Sequence, residues 1–408
     1  MNKQEEQVLN QINEDEVVAF LQKLIQCKSS YPPGDTREVA DACYKKLKEE
    51  GIETELLYPG DEVKSIWDDG VDNSHIPSVL GKLEGKERPV LLLNAHIDTV
   101  SVEDPDKWEF DPFSGAVKDG YIYGRGAGDD KSSVVAQIMA TIAIARAGVQ
   151  LNGTLMVNPV ADEEASAFRG THWLRDAGYL NPDYLLIGEQ TDNKVAVAER
   201  AMLWLDVTIK GKAAHGAMPW EGDNAIVRAS QFVNLVETQL VPLLKERTHP
   251  YLPHSTINIS KINAGLNSNA VPEICTLLID RRYVPGETKD TVIKEIEDLL
   301  KKLAIETGEF EWEVSINWDA GAPVDTDINE PLVQTLLGSA KEITGNKTEL
   351  TGYRQGSDGR LFSGKGIPIA HFGPSDPAVG HSTNERVSIK QLVEATKIYA
   401  LTALRMLS

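Results

Sequence analysis

His96-Ile97-Asp98 sets an imidazole and a carboxylate two residues apart, at the end of the apolar run that begins at Val90. In extended backbone such residues share a face, so the pair reads as a metal ligand beside the neighbour that orients it. A hydrogen-bonded histidine at a core edge would explain an isolated pair equally well. Further strand-like stretches, however, also end in donor residues. Asp162-Glu163-Glu164 follows 153–160, Gly188-Glu189 follows 184–187, and His381 lies beyond 367–372. Ligands bind outside the carboxyl ends of strands in open α/β sheets, so acidic groups arriving there separately can converge on one site. Gly124-Arg125-Gly126-Ala127-Gly128-Asp129-Asp130-Lys131 has the alternating glycines of a phosphate cradle. Asp129 and Asp130 would repel phosphate, and they would attract a cation.

Placing these groups requires buried strands and helices. The run from Val90 lacks polar alternation, as befits a central strand covered on both faces. Helices are predicted from Asn13 and from Thr36, the second ending at Gly51, and a helix over 132–147 is apolar nearly all round, hence buried. Residues 61–78 read as an acidic, irregular segment. From Ala198 the pattern changes to strand 203–209, helix 224–237, strands 255–262 and 274–282, helix 291–303 and strand 311–318. This is a split-βαβ order. After Ala320 the first pattern resumes, with a helix over 331–344, the strand 367–372 and a closing helix from Ser388. The expected organisation is therefore 1–197 and 321–408 as one α/β domain, with 198–320 inserted.

The 408 residues suit two domains, and 41% hydrophobic residues suffice for a core in each. A formal net charge of -21 argues against nucleic acid and anionic membranes as partners. Cys27, Cys43 and Cys275 are irregularly spaced and fit reduced core thiols, not a disulfide framework or thiolate site. The start of the chain has no signal-like core, and no apolar run reaches the ~18 residues of a spanning helix. A soluble cytoplasmic protein is the expectation.

Together, His96, Asp129, Glu164, Glu189 and His381 offer enough nitrogen and oxygen donors for two metal ions, with Asp98 and Glu163 beside them. Imidazole and carboxylate without thiolate suit zinc, with cobalt or manganese as substitutes. The chain here resembles the zinc-dependent family of acetylornithine deacetylase, succinyl-diaminopimelate desuccinylase, aminoacylase and related carboxypeptidases and dipeptidases. The resemblance rests on residues 94–100, 124–131, 162–164, 188–189, His381 with 384–387, and, in the insert, 211–215 and 222–225. It departs at Ser132 and at 165–168, where glycines are common in the family.

The resemblance implies a mixed-sheet di-metal hydrolase domain with helices on both faces, plus an inserted ferredoxin-like dimerisation lid. His96 and Glu189 would hold one Zn2+, Glu164 and His381 the other, and Asp129 would bridge them, with Asp130 left out. Asp98 would hydrogen-bond the second nitrogen of His96. Glu163 would be the general base for a metal-activated bridging water. His215 would reach a partner subunit's site and stabilise the oxyanion, implying a homodimer. Asn269, Arg282 and Arg360 match substrate-contacting positions, although structural ion pairs would also account for the arginines. Glu189 favours removal of an acyl group from an N-acyl amino acid over the dipeptidase or carboxypeptidase alternative. A non-catalytic binding protein would be expected to lack a ligand or the base, and all of them are present. A two-metal phosphoesterase is disfavoured by the absence of a matching cationic cluster near the motifs.

Overall fold

The computed structural model describes residues 1–67, 69–86, 88–345 and 348–408; Asp68, within the irregular segment 61–78, lies outside them. They form two compact units: Met1–Val197 with Asp325–Tyr353 and Ser357–Ser408, and Ala198–Val324 with Arg354–Gly356. The chain thus returns to the first unit after Val324 instead of Ala320.

In the first unit, the apolar run becomes the strand Val90–His96, with Leu91, Leu92 and Leu93 wholly buried. It pairs in parallel with Tyr184–Gly188 on one side and Thr154–Val160 on the other. Ile369–Phe372 extends the parallel part beyond Tyr184–Gly188. Ser78–Leu83 and Glu53–Leu57 extend the other side antiparallel, in a mixed nine-stranded sheet. The architecture is the expected mixed α/β.

The helix Lys131–Arg146 is buried on all sides from Lys131 to Ile144. It packs on the three central strands and on the C-terminal helix Ile389–Leu407, the placement that an apolar circumference demands. Ser388 caps that last helix, accepting a hydrogen bond from the Gln391 amide. Arg37–Glu49 ends where Gly51 adopts φ +73°, a left-handed conformation that glycine enters without steric cost.

The second unit is a four-stranded antiparallel sheet in the order Thr256–Ala264, Ile274–Tyr283, Ala201–Lys210, Glu311–Asp319. Ala225–Leu235 and Lys289–Thr307 cover it, burying Phe232, Ile296 and Leu300 with Leu205, Val207 and Ile279. The helix expected to stop at 237 continues through the wide turn Val236–Leu240 into Val241–Glu246. Pro242 explains the wide turn, because it has no amide for the regular bond one turn back.

Several elements were not foreseen, among them the helix Lys3–Leu9 and the strands Glu53–Leu57, Val195–Glu199 and Leu350–Tyr353. Most are short or rich in polar residues, and their periodicity is correspondingly weak. No helix among the described residues is long and apolar enough to cross a membrane.

Candidate metal centre

Three adjacent strands deliver acidic or imidazole groups at their carboxyl ends. His96 is the last residue of Val90–His96, Glu163 and Glu164 lie in the turn after Thr154–Val160, and Glu189 follows Tyr184–Gly188 directly. Asp129 and Asp130 stand immediately before the helix Lys131–Arg146. A Cβ on Gly188 would lie 2.6 Å from that of Ser133 and 2.7 Å from that of Ala95. Only glycine therefore lets the first turn of that helix close on the strand ends. His381 comes from the loop between Ile369–Phe372 and Arg386–Ser388.

Asp129 stands between two imidazoles. Its Oδ1 is 3.0 Å from His96 Nε2 and its Oδ2 is 3.1 Å from His381 Nε2. The same His381 nitrogen lies 3.0 Å from Glu164 Oε1. Donor atoms of His96, Asp129 and Glu164 fall within 4.8 Å of one another, as do those of His96, Asp130 and Glu189. The structure thus gathers all five expected donors. It also brings in Asp130, which the resemblance had left out.

Two supporting contacts differ from expectation or were missed. His96 Nδ1 is 2.9 Å from the backbone carbonyl oxygen of Asp98, whereas the nearest carboxylate oxygen is 3.7 Å away, beyond hydrogen-bond range. The strand ends at His96, so Asp98 has left the extended geometry that would align the two side chains. Its carboxylate instead accepts from the amides of Glu163 (3.3 Å) and Glu164 (3.0 Å), fixing their turn. On the other side, Glu385 Oε1 accepts from the amides of Gly128 (2.8 Å) and Asp129 (2.9 Å), and Oε2 pairs with buried Arg125 at 2.6 Å. Glu385 was legible only as part of the motif 384–387.

The electrostatics describe a cavity with too much negative charge. Burial pushes Glu163 well above the usual carboxylate range, and Asp358 and Glu164 reinforce it. Burial and Asp130 do the same to Glu189, and burial raises Asp130 itself. Burial lifts Asp98 to about 7. Burial would also raise Asp129, but hydrogen bonds from His381 and His96 hold it well below its ordinary value. Those to Asp129 and Glu164 carry His381 up to about 10. For His96, burial works downward and is outweighed by Asp129.

These residues fit divalent cations. Neither oxygen of fully buried Asp130 makes a well-formed hydrogen bond, only weak approaches of Ser133 and the His96 backbone, and buried carboxylates are costly unless paired with a cation. The donors are imidazoles and carboxylates without thiolate, because Cys27, Cys43 and Cys275 are buried and free elsewhere.

The remaining expected residues divide between the units. Buried Arg360 donates from Nε to the Ser357 carbonyl at 2.9 Å, and its charge bears on Glu163 and Asp358. In the second unit, Arg282 is paired with Asp280 at 2.9 Å. His215 and Asn269 are neighbours there, the Gly216 amide donating to the Asn269 carbonyl at 2.7 Å. His215 Nδ1 accepts from the Ala217 amide at 3.0 Å, which leaves its proton on exposed Nε2.

Carboxylates and imidazoles collected at the strand ends of a mixed α/β sheet define a metallohydrolase architecture. The chain belongs to peptidase family M20/M25/M40, whose signature matches residues 92–405, and it is accordingly a hydrolase of amide bonds. It is 29% identical over 402 residues to succinyl-diaminopimelate desuccinylase from Bordetella petrii, covering 95% of this chain and 96% of that one. A probable succinyl-diaminopimelate desuccinylase from Staphylococcus epidermidis is 29% identical over 341 residues, covering 77% and 83%. The fold matches a tripeptidase from Staphylococcus aureus (TM-score 0.74, 23% identity, 96% and 98% covered). It also matches a dinuclear metal-binding peptidase of family M20 from Bacillus subtilis (TM-score 0.69, 18% identity, 97% and 98% covered).

Proposed function

We propose that the chain removes the acyl group from an N-acyl amino acid, in the manner of a deacetylase or desuccinylase, using two divalent cations. The observation that carries this reading is the division of the Asp129 carboxylate between His96 and His381. A bridging ligand needs one oxygen directed to each of two cation positions. His96 and Glu189 would hold one ion and Glu164 and His381 the other, Asp129 bridging, with Asp130 within reach of the first. Zinc suits this donor set, and cobalt or manganese could replace it. Such cations supply a lowered water pKa and polarisation of the scissile carbonyl.

The rest of the chemistry falls to the chain. Glu163 takes the proton of the attacking water on a carboxylate oxygen. As the C–N bond breaks it returns that proton to the leaving nitrogen, so that a carboxylate and an amino acid depart. Asp98 holds the Glu163–Glu164 turn through the two amides. His215, with its proton on Nε2, would reach a partner subunit's site and donate to the oxyanion developing there. Asn269, Arg282 and Arg360 would contact the substrate, the arginines engaging a carboxylate.

The desuccinylase names of the curated relatives support an acylated amino acid with more than one carboxylate. A homodimer through the second unit is supported by its edge strand Thr256–Ala264. Exposed Ile262 (52%) lies on that strand, fully exposed Leu266 follows it, and Ile226 stands beside Gly265.

The test is hydrolysis of N-succinyl, N-acetyl and N-formyl amino acids alongside dipeptides by the zinc-loaded protein. Turnover of an acyl amino acid is expected. Cleavage of free dipeptides alone would replace this reading with a dipeptidase.

A further inference from the structure

Tyr353 lies outside every motif that marks the centre in the sequence. In the structure its hydroxyl donates to Oε2 of Glu189 at 2.6 Å, and both side chains are buried, at 3% and 2% exposure. The tyrosine ends the strand Leu350–Tyr353, which pairs with Val195–Glu199 outside the row of parallel strands that carries the centre. Its ring is stacked on His371 at 5.3 Å and 12° between planes. His371 is in turn 2.8 Å, through Nε2, from Ser357 Oγ. Ring stacking and buried packing fix the phenol before any ligand arrives.

We propose that Tyr353 is a positioning residue that commits one oxygen of Glu189 to its hydroxyl and leaves the other to bind the cation shared with His96. This rests on the reading of the cluster as a cation site. The argument is one of valence and geometry. A free carboxylate can take a cation through either oxygen or both, and it rotates between these modes. With Oε2 holding a short hydrogen bond, Oε1 is the oxygen with both lone pairs open to the ion, and the carboxylate plane is set. The phenol also draws charge from Glu189, so the ion it holds keeps more of its pull on other ligands. A second consequence follows from connectivity. Ser357 begins the turn that carries Asp358 and Arg360, and Arg360 bears on Glu163. The stack therefore sets the metal ligand and the arginine from one rigid pair of rings.

Tyr353→Phe removes the hydroxyl and keeps the ring, its stack and its packing. Zinc binding to wild-type and variant protein, measured by competition with a chromophoric chelator, should show one of two ions weakened by about 10- to 100-fold and the other unchanged. The visible spectrum of the cobalt-loaded variant should change in band position, which a packing defect remote from the ligand would not produce. Equal zinc affinities together with superimposable cobalt spectra would overturn the assignment while leaving the cation reading intact. A wild-type protein that binds no ion would overturn both. Should the phenylalanine chain not fold, 3-fluorotyrosine at 353 retains the donor. Its fluorine resonance is expected to move as zinc occupies the site, and an unmoved resonance with zinc bound would overturn the proposal.

Discussion

The carbonyl oxygen of Asp98, and not its carboxylate, stands 2.9 Å from Nδ1 of His96. The main chain thus accepts the Nδ1 hydrogen bond and turns Nε2 toward Asp129, and the carboxylate is released to hold the Glu163–Glu164 turn. Asp98→Asn retains the main-chain carbonyl and one side-chain acceptor but sets its NH2 against the second amide, so one of the two bonds is lost and kcat should fall by about tenfold. Asp98→Ala leaves two amides unmet, at about 1–3 kcal/mol each, and should lower kcat well beyond that. Equal damage from the two variants in steady-state kinetics would argue that the carboxylate acts on His96 after all.

As the proposed general base, Glu163 would act after the substrate is bound. Glu163→Gln should lower kcat by about 10²- to 10⁴-fold, the range for loss of a general base, with zinc content unchanged. Loss of zinc in that variant, read by elemental analysis, would reassign the residue as a ligand.

Asp129 and His381 differ in the number of ions they would serve. After exhaustive dialysis, Asp129→Ala should lower the retained zinc at both positions, while His381→Ala should lower it at one. The same loss in both variants would count against the bridging role.

Removing metal should reverse the usual effect of pH. Burial lifts Asp98 to about 7 and Asp358 to about 6, against 3.8 for an unperturbed aspartate. Without metal, the folded state therefore binds more protons than the unfolded chain at mildly acidic pH. The contribution of these groups to stability is full below about 4 and lost as pH rises through 6 and 7. His381, raised to about 10 by Asp129 and Glu164, loses its contribution above the ordinary histidine range, in the same direction. The Tm of chelator-treated protein is expected to fall between about pH 5 and 8, and zinc to restore it. A Tm that climbs across that interval without metal would contradict these shifts.

Glu385 and Arg125 are a buried ion pair, with side chains 0% and 3% exposed. Glu385→Ala strands Arg125 and the amides of Gly128 and Asp129, and should cost about 3–5 kcal/mol in denaturant unfolding. A change under 1 kcal/mol would mean that solvent reaches the vacated space.

The parts of this chain that could be read in advance are those with strong local pattern. The run from Val90 and the apolar helix from Lys131 declared their burial through composition. His96, Glu164 and Glu189 were visible as candidate donors because they stand at or just beyond strand ends, Asp129 because it precedes an apolar helix, and His381 through the motif it shares with 384–387. What escaped was set by partners distant in the chain: Tyr353 meets Glu189 across 164 residues and Arg125 meets Glu385 across 260. The partner of the Asp98 carboxylate was not legible because it depends on where the strand stops, a boundary that periodicity does not resolve to one residue. Asp130 was passed over because an adjacent aspartate already filled the expected role.

The ion pair of Arg125 with Glu385 also orders events in time. A chain emerging from the ribosome exposes His96, Asp129, Glu164 and Glu189 while His381 and Glu385 are still unmade. Until those last segments appear, Asp129 has neither its second imidazole nor the acceptor that holds its amide. On the two-cation reading, tight metal loading would follow synthesis of the C-terminal segment, and a stalled chain ending after Phe372 should bind zinc more weakly than the full chain.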